Sequence, residues 1–139
     1  MSDCVFCAIA AGDHEAHRVL ETEHVVAFLD RRPVFKGHTL VVPRRHLLSL
    51  PELPDDLIEP LFSTVRSLAT VMPDALGAHG TWVAINNTVS QSVPHLHVHV
   101  VPRRRKDGLR GFFWPREGYD RDDEAAEYAR RLRDALADG

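Results

Sequence analysis

From Leu57 onward the apolar residues fall at Leu57, Ile58, Leu61, Phe62, Val65, Leu68, Ala69 and Met72, the three-and-four spacing of one helix face. Asp55, Asp56 and Glu59 lie near the start of this stripe, where the helix dipole favours negative charge. Pro60 predicts a kink or a delayed start. The rest of the chain is patterned in shorter runs. Arg18–Glu21 and Val25–Leu29 read as a hairpin around Thr22-Glu23-His24. Residues 39–42 predict a third strand ended by Pro43, residues 81–85 a fourth, and residues 96–101 a fifth ended by Pro102. Residues 4–11 predict a short helix stopped by Gly12. Residues 122–137 predict a terminal helix with acidic residues first and arginines later. The connections between neighbouring strands are too short for repeated βαβ crossovers. The pattern therefore predicts an α+β fold with an antiparallel sheet.

A length of 139 residues predicts one domain spanning 1–139, with a core at about 4–102 and a tail and helix at 103–139. The 44% hydrophobic and 27% charged balance is that of a globular protein with a real core. A net charge of −3 supplies no global field for nucleic acid or an anionic membrane, so neither is an expected partner. Phosphate binding must then come from local donors, which draws attention to Arg44-Arg45 and Arg103-Arg104-Arg105-Lys106. No signal-peptide pattern opens the chain and no apolar run is long enough to span a membrane, so a cytoplasmic protein is expected.

The two cysteines sit three apart, as Cys4-Val5-Phe6-Cys7. In a reducing compartment this spacing reads as half of a zinc site or as a redox pair. A redox pair would follow a strand inside a βαβ unit, and no strand precedes Cys4, so zinc is the better reading.

The most informative segment runs Gln91-Ser92-Val93-Pro94-His95-Leu96-His97-Val98-His99-Val100-Val101-Pro102. Side chains alternate faces along a strand, so His95, His97 and His99 share one face while Leu96, Val98 and Val100 share the other. Three imidazoles at roughly 6.6–6.8 Å intervals fill a core poorly, because each brings polar nitrogens that need partners. A metal held by a His-x-His pair is one alternative.

His95-Leu96-His97-Val98-His99-Val100-Val101 resembles the signature of the histidine-triad (HIT) family, His-φ-His-φ-His-φ-φ with φ apolar. Gln91-Ser92-Val93, Pro102-Arg103, Phe28-Leu29-Asp30 and Gly37-His38-Thr39-Leu40-Val41-Val42-Pro43 match the family's flanks and nucleotide-contacting stretches. The resemblance covers about residues 4–102. It implies a five-stranded antiparallel sheet with one long helix and a C-terminal helix. It also implies a nucleotide hydrolase or nucleotidyl transferase working at an α-phosphate. His97 would attack phosphorus through Nε2 and form a covalent nucleotidyl-imidazole, its Nδ1 proton held by a main-chain carbonyl. His99 would contact the phosphate and leaving group, Ser92 and Gln91 would hold phosphate oxygens, and Asp30 would bind the ribose hydroxyls. Asn86 matches the family's loop asparagine near the phosphate, with Asn87 as the alternative, in a loop where the family usually carries glycines. His38 matches a position beside the nucleotide.

In zinc-containing branches the resemblance adds His46 and His95 to Cys4 and Cys7, a closed structural zinc site with one ion per chain. The implied substrate is an adenine nucleotide, either a dinucleoside polyphosphate (Fhit-like) or a nucleoside phosphoramidate (Hint-like). The tail over 103–116, with Phe112-Phe113-Trp114-Pro115, looks more like the former. A homodimer is implied as well. Two competing readings are a nucleotide-binding scaffold without turnover and a zinc hydrolase with the metal on His95, His97 and His99.

Overall fold

The computed structural model describes residues 3–110 and 116–138. The elements run α1 (Val5–Ala11), β1 (Arg18–Glu21), β2 (Val25–Leu29), β3 (Thr39–Pro43), a 3-10 turn (Leu50–Glu52), α2 (Asp55–Leu76), β4 (Gly80–Ala84), β5 (Val98–Arg103) and α3 (Asp122–Asp138). Five antiparallel strands form one sheet in the order β1-β2-β3-β5-β4. The last strand to appear in the chain is thus inserted between β3 and β4. Residues 112–115 of the aromatic tail lie outside the described residues.

The two faces of the sheet are covered differently. On one face Val25, Ala27, Val41, Leu96, Val98 and Val100 pack against Leu57, Leu61, Val65, Leu68 and Met72 of α2. On the other, Val26, Phe28, Leu40 and Val42 pack against Phe6 and Ile9 of α1. The apolar stripe of α2 is thus the face that meets the sheet, except that Ile58 is exposed and Thr64 takes a buried place. Thr64 can do so because its hydroxyl donates to the Pro60 carbonyl within the helix.

Pro60 does not delay the helix, which begins five residues earlier at Asp55. The missing Pro60 N–H leaves one carbonyl of the first turn without its helical donor, a loss that the long packed stripe outweighs. β4 starts one residue earlier than its pattern suggests, and β5 is shifted to Val98–Arg103, so His95, Leu96 and His97 precede the regular ladder. Pro102 lies inside β5. β3 pairing reaches only as far as Thr39 opposite Val100, so on that side no ladder hydrogen bond is demanded of Pro102. Beyond that point Gly37 turns the chain into β3 at φ 102°. A Cβ there would stand 2.5 Å from Leu76 Cδ1 and 3.4 Å from Pro102 Cγ, so only glycine fits.

Three arginines of the basic runs, Arg44, Arg103 and Arg104, serve the fold. Arg44 donates to the Thr22 and Ala10 carbonyls and pairs with Glu21. Arg18 donates to the Ile9 carbonyl. Together they staple α1 to the hairpin. Arg103 pairs with Asp107, and Arg104 donates to the Leu76 carbonyl at the end of α2.

By contact density the chain divides into two compact units, Met1–Asp107 and Gly108–Gly139. The second unit holds α3, whose Glu127 pairs with Arg130 and Arg131. Among the described residues no helix is long and apolar enough to cross a membrane.

Candidate active site

The side of the sheet that carries α1 also carries the three histidines of residues 95–99. Leu96, Val98 and Val100 are fully buried on the α2 side, so the alternation turns His95, His97 and His99 the other way. They do not share one environment. His95 meets the cysteines of α1, while His97 and His99 line a cleft with Phe6, Ile9, Phe28, Asp30 and Ser92.

His97 is 4% exposed, and its Nδ1 lies 2.7 Å from the His95 carbonyl oxygen. A carbonyl can only accept, so Nδ1 carries the proton and Nε2 keeps its lone pair. The ring is buttressed edge-on by Phe6, with centroids 5.1 Å apart, and Phe6 in turn meets Phe28 edge-on at 5.3 Å. A ring nitrogen with a free lone pair is therefore held in one tautomer and one orientation.

The neighbouring ring is fixed by a different chain of donors. The Val34 N–H donates to His38 Nδ1 at 3.0 Å, which forces the His38 proton onto Nε2. His38 Nε2–H then donates to His99 Nδ1 at 3.0 Å. His99 must accordingly carry its own proton on Nε2, and that nitrogen is buried with no hydrogen-bond partner among the described residues. An unpartnered buried donor in the wall of a cleft asks for an acceptor from a ligand. Burial, with His97 and His38 alongside, pushes His99 down to about 4, so the ring is neutral near pH 7. Burial lowers His38 as well, opposed by the Asp30 carboxylate.

Asp30, His38 and His99 also lie close enough to suggest a cation site. The donor chain argues against one. His38 accepts from Val34 at Nδ1 and so has a proton, not a lone pair, on the nitrogen facing Asp30 and His99. Asp30 Oδ1 accepts the Arg32 N–H at 2.9 Å, and its Oδ2 lies 3.7 Å from His38 Nε2. Each carboxylate oxygen keeps further lone pairs for hydroxyls in the cleft.

The other expected phosphate contacts divide. Ser92 is exposed and lines the cleft. Gln91 has both ends of its carboxamide engaged, donating to the Leu48 carbonyl at 2.6 Å and accepting the Thr88 N–H at 3.0 Å. Asn87 accepts the Leu50 N–H, whereas Asn86 is exposed and makes no side-chain hydrogen bond among the described residues. In this loop Thr88 and Ser90 adopt positive φ, 70° and 61°, the conformation that glycine would enter without strain.

Cys4, Cys7, His46 and His95 form a second centre at the end of the triad segment. Their ligand atoms all lie within 4.8 Å of one another. Cys4 Sγ is 3.4 Å and Cys7 Sγ 3.5 Å from His95 Nδ1, and Cys7 Sγ is 3.2 Å from His46 Nδ1. A tetrahedral zinc with ordinary bond lengths separates sulfur from nitrogen by about 3.5 Å. His95 Nε2 lies 2.8 Å from the Pro43 carbonyl, so Nε2 carries the proton and Nδ1 offers a lone pair to the cluster. The donor set fits a closed zinc site. This geometry also disfavours a metal shared by His95, His97 and His99, because His95 Nδ1 is turned toward the cysteines.

Sequence reasoning missed the aromatic wall. Phe6 and Ile9 are three apart on α1, and Phe28 shares a face with Val26, a pattern that could have marked them as one apolar surface. It also assigned nothing to His14, which lines the cleft beyond Ile9.

The HIT domain model matches residues 11–106. The chain belongs to the HIT family. The matched span contains Asp30, His38, His46, Ser92 and the histidines of the HIT triad, while Cys4, Cys7 and Phe6 lie just before it. The chain is 40% identical over 114 residues to the Protein hit of Bacillus subtilis, covering 81% of this chain and 79% of that protein. It is 29% identical over 142 residues to an adenosine 5′-monophosphoramidase of Candida albicans, covering 98% of this chain and 93% of the relative. The crystal structure of a zinc-bound histidine triad family protein from Mycobacterium smegmatis superposes with a TM-score of 0.74 at 38% identity, covering 99% of this chain and 95% of that one. The α+β architecture and five-stranded antiparallel sheet are those of the HIT fold.

Proposed function

We propose that this HIT protein is a nucleotide hydrolase or nucleotidyl transferase in which His97 Nε2 attacks an α-phosphorus. The observation that carries the reading is the short contact from His97 Nδ1 to the His95 carbonyl, which leaves Nε2 bare beside an unpartnered donor on His99. The likeness to a phosphoramidase supports it. In the first step an Nε2–P bond forms and the bond from phosphorus to the leaving nitrogen or oxygen breaks. The leaving group takes a proton from solvent. His97 becomes a cationic nucleotidyl-imidazole whose Nδ1–H stays on the His95 carbonyl. His99 Nε2–H donates to a phosphate oxygen, and Ser92 supplies a second donor. In the second step water attacks phosphorus, the N–P bond breaks, and neutral His97 is restored as the water proton leaves to solvent. Positioning and charge stabilisation carry most of the rate in such a transfer.

Asp30 receives the ribose hydroxyls, and Phe6, Ile9 and Phe28 line the space for the base. His38 is a positioning residue that holds His99 in the donor tautomer. Cys4, Cys7, His46 and His95 hold a structural zinc, which supplies a rigid cross-link and no open coordination position. Substrates are dinucleoside polyphosphates or nucleoside phosphoramidates with an adenine base. The chain is proposed to act as a homodimer.

Mixing the protein with adenosine phosphoramidate or diadenosine polyphosphate and quenching rapidly should give a protein mass increased by one adenylyl group, mapped to His97. Nucleotide binding with neither adduct nor turnover would replace this reading with a scaffold role.

A further inference from the structure

His14 stands just past the end of α1, two residues after Gly12, the left-handed C-cap of that helix. It is exposed, it lines the same cleft as His97, and the fold uses no side-chain nitrogen of it beyond one local contact. That contact is informative. His14 Nδ1 lies 3.0 Å from the Glu15 carbonyl oxygen, so Nδ1 donates and Nε2 presents a lone pair. In the same cleft Ile9, Ala16 and Phe28 are apolar and offer no side-chain hydrogen bond. The remaining polar lining groups, Asp30, Arg31, Ser92, His97 and His99, include those placed against ribose and phosphate in the proposed function. Of the polar lining groups, His14 and Arg31 are left without a ribose or phosphate role, and His14 is the one that lies just past α1, whose Phe6 and Ile9 belong to the apolar wall.

We infer that His14 is a specificity residue that reads the edge of the nucleobase through Nε2, favouring a base that presents an amino donor over one that presents a carbonyl. The inference rests on the nucleotide reading above and adds the residue that makes the cleft prefer adenine to a base with a carbonyl at the same edge. An exocyclic N–H completes a hydrogen bond with the Nε2 lone pair. A carbonyl oxygen at the same place sets two acceptors against each other. Adenine and hypoxanthine differ at this one edge while stacking alike, so AMP and IMP are matched probes.

In the zinc-loaded full-length protein, calorimetric titration should give AMP at least about fivefold tighter binding than IMP, the discrimination one partly exposed hydrogen bond supplies. His14→Leu keeps the apolar wall and should bring the ratio to about one. His14→Gln, whose carbonyl oxygen also accepts, should keep part of the preference. The melting temperature should stay unchanged in both, because His14 is exposed and its hydrogen bond is local. A His14→Leu protein that discriminates like wild type, or a wild type that binds both nucleotides equally, overturns the inference and leaves the nucleotide reading standing. A wild type that binds neither nucleotide overturns both.

Discussion

His95 and His97 project from the same side of the same segment, two residues apart, and they are prepared for opposite tasks. His95 gives its Nε2 proton to the Pro43 carbonyl and turns a bare Nδ1 toward two thiols and His46. His97 gives its Nδ1 proton to the His95 carbonyl and keeps a bare Nε2 beside the cleft. His99 reverses the order again, accepting from His38 at Nδ1 and holding a proton on Nε2. The protonated nitrogen thus alternates along residues 95–99 as ε, δ, ε. An imidazole is a donor at one nitrogen and an acceptor at the other, and the partner of one nitrogen decides what the other can do. One residue type repeated on one face yields a lone pair aimed at two thiols, a lone pair beside a cleft and a buried donor, and the neighbours make the difference.

Removing the proposed nucleophile tests this contrast most severely. His97→Ala should lower turnover by at least about a thousandfold while AMP still binds, since a covalent step disappears and the cleft stays. Turnover within tenfold of wild type would remove His97 from the mechanism. Next comes the donor chain. His38→Phe frees His99 Nδ1, and kcat should fall about 10- to 100-fold with little change in KM, the size of effect seen when a hydrogen bond behind a functional histidine is lost. An unchanged kcat would show that His99 does not depend on its partner.

The opposite pole should respond differently. Cys4→Ser/Cys7→Ser should reduce bound zinc from about one per chain to near none by elemental analysis. The melting temperature should fall by about 5–10 °C, with a smaller loss of turnover than His97→Ala produces. Wild-type protein that holds no stoichiometric metal after zinc is supplied would mean the cluster is only a set of hydrogen bonds. The smallest effect concerns pH. His99 is held at about 4 in the folded chain, below the ordinary 6.5 of the unfolded one. As pH falls below 6.5 the unfolded chain takes up a proton that the folded ring refuses. Its contribution to stability is therefore full above about pH 6.5 and is lost as pH falls toward about 4. Melting temperature measured from about pH 7 to pH 4.5 should drop, and His99→Gln should show a shallower drop. Equal slopes would contradict the assignment, and the comparison separates His99 from metal loss over the same range.

The strands, the long helix and the alternation of His95, His97 and His99 were legible because each is written in local spacing. Cys4 and Cys7 were read as half of a zinc site from their spacing, His46 and His95 were added from the family resemblance, and the four ligand atoms do converge. The tautomers were only partly legible. A carbonyl for His97 was expected from the family. The Val34–His38–His99 chain depends on a loop amide and two rings brought together by tertiary folding, which no spacing records. Gln91 and Asn87 illustrate the converse. Both sit beside the signature, yet their carboxamides hold the loop, because a path with Thr88 and Ser90 at positive φ needs extra anchoring. The contacts of Arg44 and Arg104 with main-chain carbonyls were likewise invisible, since a basic run looks the same whether its partners are phosphates or carbonyls.

The insertion of β5 between β3 and β4 has a consequence for how the protein is made. His38 and His99 are 61 residues apart in the chain, and Cys4 and His95 are 91 apart. Closing spans of that length is slow compared with forming α2 or the first hairpin. On the ribosome, the amino-terminal helix and the hairpin emerge long before the strand that completes both centres. Until it arrives the two thiols have no imidazole from residue 95, and the cleft lacks His97 and His99. The zinc capture and turnover proposed above should therefore appear together, only after residues 95–103 have been made, with no active intermediate before that point.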